Sequence, residues 1–338
     1  MDPNLKVLIG RLQEYSKGCE DKCLDLQALQ FEAKESELRL HTPVRSYFFK
    51  SDPKNPRDPK IVHALKQFCK ICGIPYSFFA KNPQQMKNQM VQTWLSSLKP
   101  EKSAILAKLR NTPGGIDYVI RALLPVEYTN IPNYEIFQMV ADVIGDDFYT
   151  DFVIGEDRDD LMLHVRFISK ETFDVGDETC STGFSIITSE LGAAPISVET
   201  MIYRISSKAS MIASYGGESY FQSDYEGIQP TALRELFPRL VGSLKEQLPE
   251  LKHMVHSAID KIQKKEDTAD LLRMLRLRKG LSEKFHTLLY QELEANKVEN
   301  RWDFVNRVSI LAKDFDSNTR VKIEKASGEL IGLIFDKS

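Results

Sequence analysis

The sequence predicts an α+β fold: a helical amino-terminal part, a sheet-rich middle of antiparallel strands, and a helical carboxy-terminal part. Three observations predict it. Near the start, Leu5, Leu8, Ile9, Leu12 and Tyr15 recur at helical spacing. Between residues 118 and 214, short β-branched and aromatic runs are separated by Gly, Asp and Ser. Beyond residue 231, leucine stripes return with helical period.

Taken in order, residues 4–40 read as a helix or helix pair, because Leu26, Leu29 and Phe31 extend the first apolar set. Residues 42–59 read as a loop punctuated by Pro43, Pro53, Pro56 and Pro59. A helix over 60–72 presents Ile61, Leu65, Phe68 and Cys72 on one face and stops at Gly73. Helices over 76–80 and 84–98 follow, the second closed by Pro100. A helical turn is expected over 102–110, a turn over 111–115, a strand over 118–124 and a helix over 134–144. Runs at 161–169, 183–188, 196–206 and 210–214 then read as an antiparallel meander. In the tail, Leu233, Leu236, Leu240, Val241, Leu244 and Leu248 form one stripe, and Leu271, Leu272, Leu275 and Leu277 begin another. Phe304, Val308, Leu311 and Phe315 form a third. No repeat is visible. The expected units are 1–59, 60–230 and 231–338.

The 338 residues are 42% hydrophobic and 28% charged, which is globular composition rather than wholesale disorder. No apolar run is long enough to span a bilayer, and residues 1–10 lack the pattern of a secretory leader. Five cysteines, an odd number, suit a reducing compartment, so a cytoplasmic location in a bacterial host is expected. The net charge of -3 is unevenly spread. Residues 1–125 hold 20 Lys+Arg against 12 Asp+Glu, residues 126–230 hold 5 against 19, and residues 231–338 hold 20 against 17. Such asymmetry bears on partners more than on fold.

Motifs with catalytic or cofactor mechanics are missing. Gly-x-Ser-x-Gly, Gly-x-Gly-x-x-Gly and the phosphate loop are absent, and the six histidines are scattered. No cofactor and no catalytic residue is therefore expected. Cys19, Cys23, Cys69 and Cys72 supply four thiols, the number tetrahedral zinc takes, but each pair reads as part of a helix, so burial is the preferred expectation. The acidic run Asp146, Asp147, Asp151, Glu156, Asp157, Asp159 and Asp160 lacks calcium-loop spacing and reads as a solvated loop. Two regions remain as contact candidates. Ser189, Glu190 and Gly192 sit at an expected hairpin tip, where loops on rigid sheets carry contacts, or else shape the turn. Arg45, Tyr47, Phe48, Phe49, Lys50, Lys54, Arg57 and Lys60 interleave cations with rings, the combination that holds single-stranded nucleic acid by phosphates and bases. Arg273, Arg276, Arg278, Lys279 and Lys284 are expected to line the same channel.

Several blocks also resemble a known family. His63–Gly73 with Ile74-Pro75-Tyr76, Arg121-Ala122-Leu123-Leu124-Pro125 with Tyr128, and Ile131-Pro132-Asn133-Tyr134 come first. Gly183-Phe184-Ser185-Ile186, Ser189-Glu190-Leu191-Gly192, Met201-Ile202-Tyr203-Arg204-Ile205 and Trp302 to Ser309 follow in the same order, then Lys325-Ala326-Ser327-Gly328. Together they resemble the phage/plasmid-like family called domain of unknown function nine-three-two, across residues 60–332. The chain departs from that pattern at Leu124-Pro125, at Thr188 and at Ser206-Ser207-Lys208-Ala209, where the family carries a Cys-Asn step. The resemblance implies the company of phage and plasmid replication or recombination genes, and no particular reaction. The resulting expectation is a non-catalytic, homo-oligomeric single-strand DNA binding or annealing protein without a membrane segment. The alternative is an interaction factor that meets a host protein through the acidic middle.

Overall fold

The computed structural model describes the chain apart from residues 35–36, 51–58, 100–102, 113–116, 129–130, 153–160, 213–220, 224–228, 279 and 333–338. Two antiparallel-rich sheets are wrapped by helices at both ends of the chain, an α+β architecture.

Helix α1 (Pro3–Ser16) is capped by Asp2, whose carboxylate accepts from Leu5 N at 3.0 Å and from Thr150 N at 3.2 Å, tying the helix start to the second sheet. The expected continuation of this helix to residue 40 is not formed. Strand β1 (Cys19–Asp25), a 3-10 turn (Leu26–Ala28), β2 (Gln30–Lys34) and β3 (Glu37–His41) occupy that stretch. Strand β4 (Ser46–Phe49) replaces part of the expected loop. Helices α2 (Pro59–Ile71), α3 (Tyr76–Lys81) and α4 (Gln84–Ser97) stand where their spacing places them. Strand β5 (Ala104–Asn111) replaces the expected helical turn, and β6 (Tyr118–Leu124) completes a sheet of order β1-β5-β6-β4-β3-β2. All its pairings are antiparallel except β4 with β6, which are parallel. The boundary expected at residue 59 falls inside this unit, because β4 hydrogen-bonds β6 while α2 packs on both.

Helix α5 (Asn133–Ile144) leads into the second sheet: β7 (Phe148–Phe152), β8 (Leu163–Val175), β9 (Glu178–Thr188), β10 (Ile196–Arg204) and β11 (Ala209–Ile212). They pair in sequence order, β11-β10-β9-β8-β7, as a meander requires, and β12 (Phe221–Ser223) adds to β10. The tail is helical: α6 (Pro230–Ile262), α7 (Thr268–Arg276), α8 (Glu283–Ala295), α9 (Arg301–Leu311) and α10 (Ser317–Gly332). No helix among the described residues is long and apolar enough to cross a membrane.

Three apolar cores organise these elements. One lies between the first sheet and α2–α4, built on Phe31, Tyr47, Phe49, Phe68, Phe79, Val91 and Ile120. The second joins Leu106, Ala122 and Leu124 of the first sheet to α1, α5, the start of α6 and one face of the second sheet. The third gathers the far end of α6 with α7–α10. Close approach of β8, β9 and β10 depends on Gly183, where a Cβ would stand 2.3 Å from the Phe167 carbonyl oxygen.

Candidate functional site

The basic, aromatic stretch that the sequence singles out is a strand rather than a loop. Tyr47 and Phe49 point into the first core, Tyr47 stacked on Tyr118 at 5.8 Å and Phe49 against Phe68 at 5.3 Å. A base platform needs open ring faces, and these two are closed by packing. Period two explains it: Tyr47 and Phe49 share one face of β4, and Phe48, on the other, is half-buried. Arg45 stays exposed on the β3–β4 turn, its guanidinium 5.6 Å from the Tyr118 ring centre. Lys50 is half-buried. Lys54 and Arg57 lie outside the described residues, as does the side chain of Lys60, which falls in α2.

In the tail, Arg273 pairs with Asp270 at 3.2 Å, Arg276 lies over the Tyr290 ring at 5.1 Å, and Arg278 pairs with Glu329 at 2.7 Å. Lys279 is outside the described residues. Arg278, Lys322 and Lys325 line an open groove with Glu329. Strand β4 belongs to the first core and α7 to the third.

The Ser189-Glu190-Leu191-Gly192 turn is a joint between the two sheets, with Ser189 and Leu191 buried, Glu190 half-buried and Gly192 exposed. Ser189 is fully buried; its hydroxyl donates to Leu161 O and accepts from Leu191 N at 3.2 Å and Ala193 N at 3.0 Å. Tyr128 donates its hydroxyl to Ser189 O at 2.9 Å. Glu190 accepts from Asn133 N at 2.5 Å, a carboxylate at the start of α5, and lies 3.9 Å from Arg121. From α2, His63 Nε2 and Gln67 Nε2 donate to Leu191 O at 2.8 and 2.9 Å. Burial holds the His63 imidazole below its ordinary pKa, against the opposing pull of that hydrogen bond. Gly192 has φ +68° and abuts the Leu124 side chain, so a Cβ there is excluded twice.

Two polar hubs were not foreseen from sequence. Glu178 accepts from Arg204, from Trp302 Nε1 at 3.2 Å and from Asn306 Nδ2 at 2.9 Å, fastening α9 to the second sheet. Arg166 is almost wholly buried on β8. It donates to Glu324 at 2.8 Å, to Ser210 Oγ at 2.8 Å and to Asp151 at 3.4 Å. Arg320, one turn before Glu324 on the same helix, also donates to it at 2.9 Å, and the Arg166–Glu324 pair docks α10 on that face by charge. Beside them His164 is held well below its ordinary pKa, first by burial and then by Arg166, Arg320 and Lys325. The hint available in the sequence is an arginine amid the apolar run of β8.

Part of the segregated charge of the sequence is folded back on itself. Asp146 meets the terminal amine at 2.8 Å, Asp147 meets Lys245 at 2.7 Å, Glu135 meets Arg234 at 2.7 Å and Glu199 meets Lys325 at 2.5 Å. Carboxylates of the middle thus take their cations from both flanking segments. Residues 156–160 of the acidic run lie outside the described residues.

One region is different. Residues 59–99 contain six lysines and no Asp, Glu or Arg. They form α2, α3 and α4, whose apolar sides (Leu65, Phe68, Phe79, Val91, Leu95) are spent on the first core. Lys66, Lys70, Lys81 and Lys99 are exposed and Lys87 is half-buried, and none of these five forms an ion pair among the described residues. Lys66 lies over the Tyr76 ring at 5.4 Å and Lys87 over Phe79 at 5.6 Å. A stretch of such length without a carboxylate is the signal that sequence offers; the adjacent prolines and aromatics mask it.

The thiols do not gather. Cys19 and Cys23 are on β1, while Cys69 and Cys72 are buried beneath α2. Burial pushes the Cys69 thiol up to about 12 and raises Cys72 further, as expected for small apolar fillers. Among the described residues no three His, Cys, Asp or Glu side chains are grouped to hold a metal ion. The fold and this surface define an α+β protein with a one-signed cationic helical layer. No family model, curated protein or solved structure matches the chain.

Proposed function

We propose that the chain is a nucleic-acid-binding protein of a phage or plasmid, acting without catalysing a reaction, and that it holds phosphates with the α2–α4 layer. The carboxylate-free run of six lysines carries this reading. Polyanion binding draws its free energy from release of condensed counterions, which needs cations not already neutralised by neighbouring carboxylates. Placement in a phage or plasmid rests on the resemblance read from sequence alone, since no family model matches the chain.

Fluorescence anisotropy with a labelled oligodeoxythymidine tests it. Binding at low salt should weaken linearly in log–log form, and K66A/K70A/K81A/K87A should flatten that slope by about 0.7 for each phosphate no longer neutralised. Absence of any complex at low salt ends the reading. The alternative is an interaction factor working through the acidic middle, where Glu135, Asp146, Asp147 and Glu199, among 19 carboxylates, are met by cations of the flanking segments.

A further inference from the structure

Resting on that reading, we infer that the layer takes single strands in preference to duplex, with Phe78 of α3 as the surface on which a base stacks. Phe78 is 51% exposed, although the neighbouring Phe79 is fully buried. In this helix Phe79 points into the first core and Phe78 away from it. Lys81 is one turn further along α3 and is itself exposed. An open ring beside ammonium groups without carboxylate partners is the arrangement that grips an unstacked base and its phosphate together, and a duplex offers no free base face to the ring.

A membrane surface is the competing polyanion. A helix lying on a bilayer inserts an entire apolar face. The apolar faces of α2 and α4 are already committed to Phe68, Val91 and Leu95 in the core, which leaves Phe78 and Met86 as the exposed large apolar side chains of the layer. Two such side chains suit base contact better than insertion.

The experiment compares wild type, F78A and F78W for a labelled oligodeoxythymidine, for a hairpin duplex of equal phosphate number, and for phosphatidylserine vesicles, each over a salt series. Expected are tighter binding of oligodeoxythymidine than of duplex, an affinity for it about tenfold lower in F78A, full or improved affinity in F78W, and the same salt slope in all three. Duplex affinity should be unmoved by either substitution. Equal affinity of wild type and F78A for oligodeoxythymidine overturns the inference while leaving phosphate binding intact. F78A weakening vesicle binding alone overturns it in favour of a lipid surface. Failure of wild type to bind any oligonucleotide overturns the parent reading instead.

Discussion

Glu324 offers the sharpest test of how the second sheet and the tail are held together. Its carboxylate has no exposure to solvent and accepts from Arg166 at 2.8 Å and from Arg320 at 2.9 Å. Replacing it by alanine strands the Arg166 guanidinium in the interior. Ser210 and a longer contact to Asp151 at 3.4 Å remain, and Asp151 is partly solvated, so it compensates incompletely. Removing one partner of a buried pair costs about 3–5 kcal/mol, and the surviving Asp151 interaction places E324A toward about 3 kcal/mol. With a urea m-value of about 3 kcal/mol/M for a chain of this size, the midpoint should fall by about 1 M. The pair, unlike the single charge, is replaceable. R166M/E324L, which removes both charges and retains volume, should recover most of the loss, giving a coupling energy of at least about 2 kcal/mol in the double-mutant cycle. Urea titration followed by circular dichroism reads E324A and the four proteins of the cycle: wild type, R166M, E324L and R166M/E324L. A midpoint for E324A within about 0.2 M of wild type, or strict additivity in the cycle, would refute the claim that α10 is docked by a desolvated pair.

Other outcomes follow from the same contacts. His164 is uncharged in the folded state at neutral pH and takes up its proton more readily when unfolded, where its pKa is the ordinary 6.5. Its folded value is depressed, so stability is complete above pH 6.5 and is lost as pH falls toward the folded value, by about 1.4 kcal/mol per pH unit for this one group. His164→Gln should flatten the fall of the urea midpoint as pH drops below 6.5; an unchanged pH dependence contradicts the assignment. Gly183→Ala drives a methyl to 2.3 Å from a carbonyl oxygen and should cost about 3 kcal/mol or prevent folding. Gly192→Ala, strained by its φ of +68° and met by the more yielding Leu124 side chain, should cost less. The reverse order in thermal denaturation would sink that comparison.

Much of the helical content is legible because amphipathic stripes mark it: of the residues selected by spacing, Leu65, Phe68 and Cys72 at α2, Leu271 and Leu275 of α7, and Phe304 and Val308 of α9 are buried, whereas Leu277 is exposed. In α6 the agreement is partial, since Leu233, Val241, Leu244 and Leu248 are buried while Leu236 is exposed and Phe237 takes its place. The first sheet is not legible. In β5, Ala104-Ile105-Leu106-Ala107-Lys108-Leu109 is composed of good helix formers, yet it is hydrogen-bonded on both sides and covered on both faces. A fully covered strand shows no alternation, so period cannot separate it from a helix, and tertiary pairing overrides propensity. Lys108 is buried there because Asp21 of β1 meets it at 2.8 Å, a pairing that sequence separation conceals. Leu26 and Leu29 mislead in the opposite direction, since a 3-10 turn and a strand start share their three-residue spacing. For the candidate surface, composition points to the basic first segment, within which the fold buries Tyr47 and Phe49 of β4 and leaves Lys66, Lys70 and Lys81 exposed. Alternating rings in β4 suggest a platform, yet the alternation itself is the mark of burial.

Segment charge is therefore a poor guide to surface charge when segments interleave in space. The middle third, with 19 carboxylates, supplies counter-charges to Lys245, Arg234, Lys325 and the terminal amine, and each of those contacts crosses a boundary that the sequence profile would draw between opposed regions. What governs attraction at a Debye length of about 8 Å is the local excess left after such pairing. In α2–α4 nothing on the same helices can neutralise the lysines, because the run has no carboxylate. A protein of net charge -3 can in this way hold a polyanion, provided the binding face is the part whose own sequence omits the opposite sign. Glutamates placed within that run test this directly. Gln67 is a poor position for one, because it serves the joint at Leu191, whereas Gln85 and Gln92 are exposed on α4. Q85E/Q92E should leave the urea midpoint unchanged and weaken oligodeoxythymidine binding more at low salt than at high salt. A loss equal at all salt concentrations would mean that the α4 face acts through shape and not through its charge.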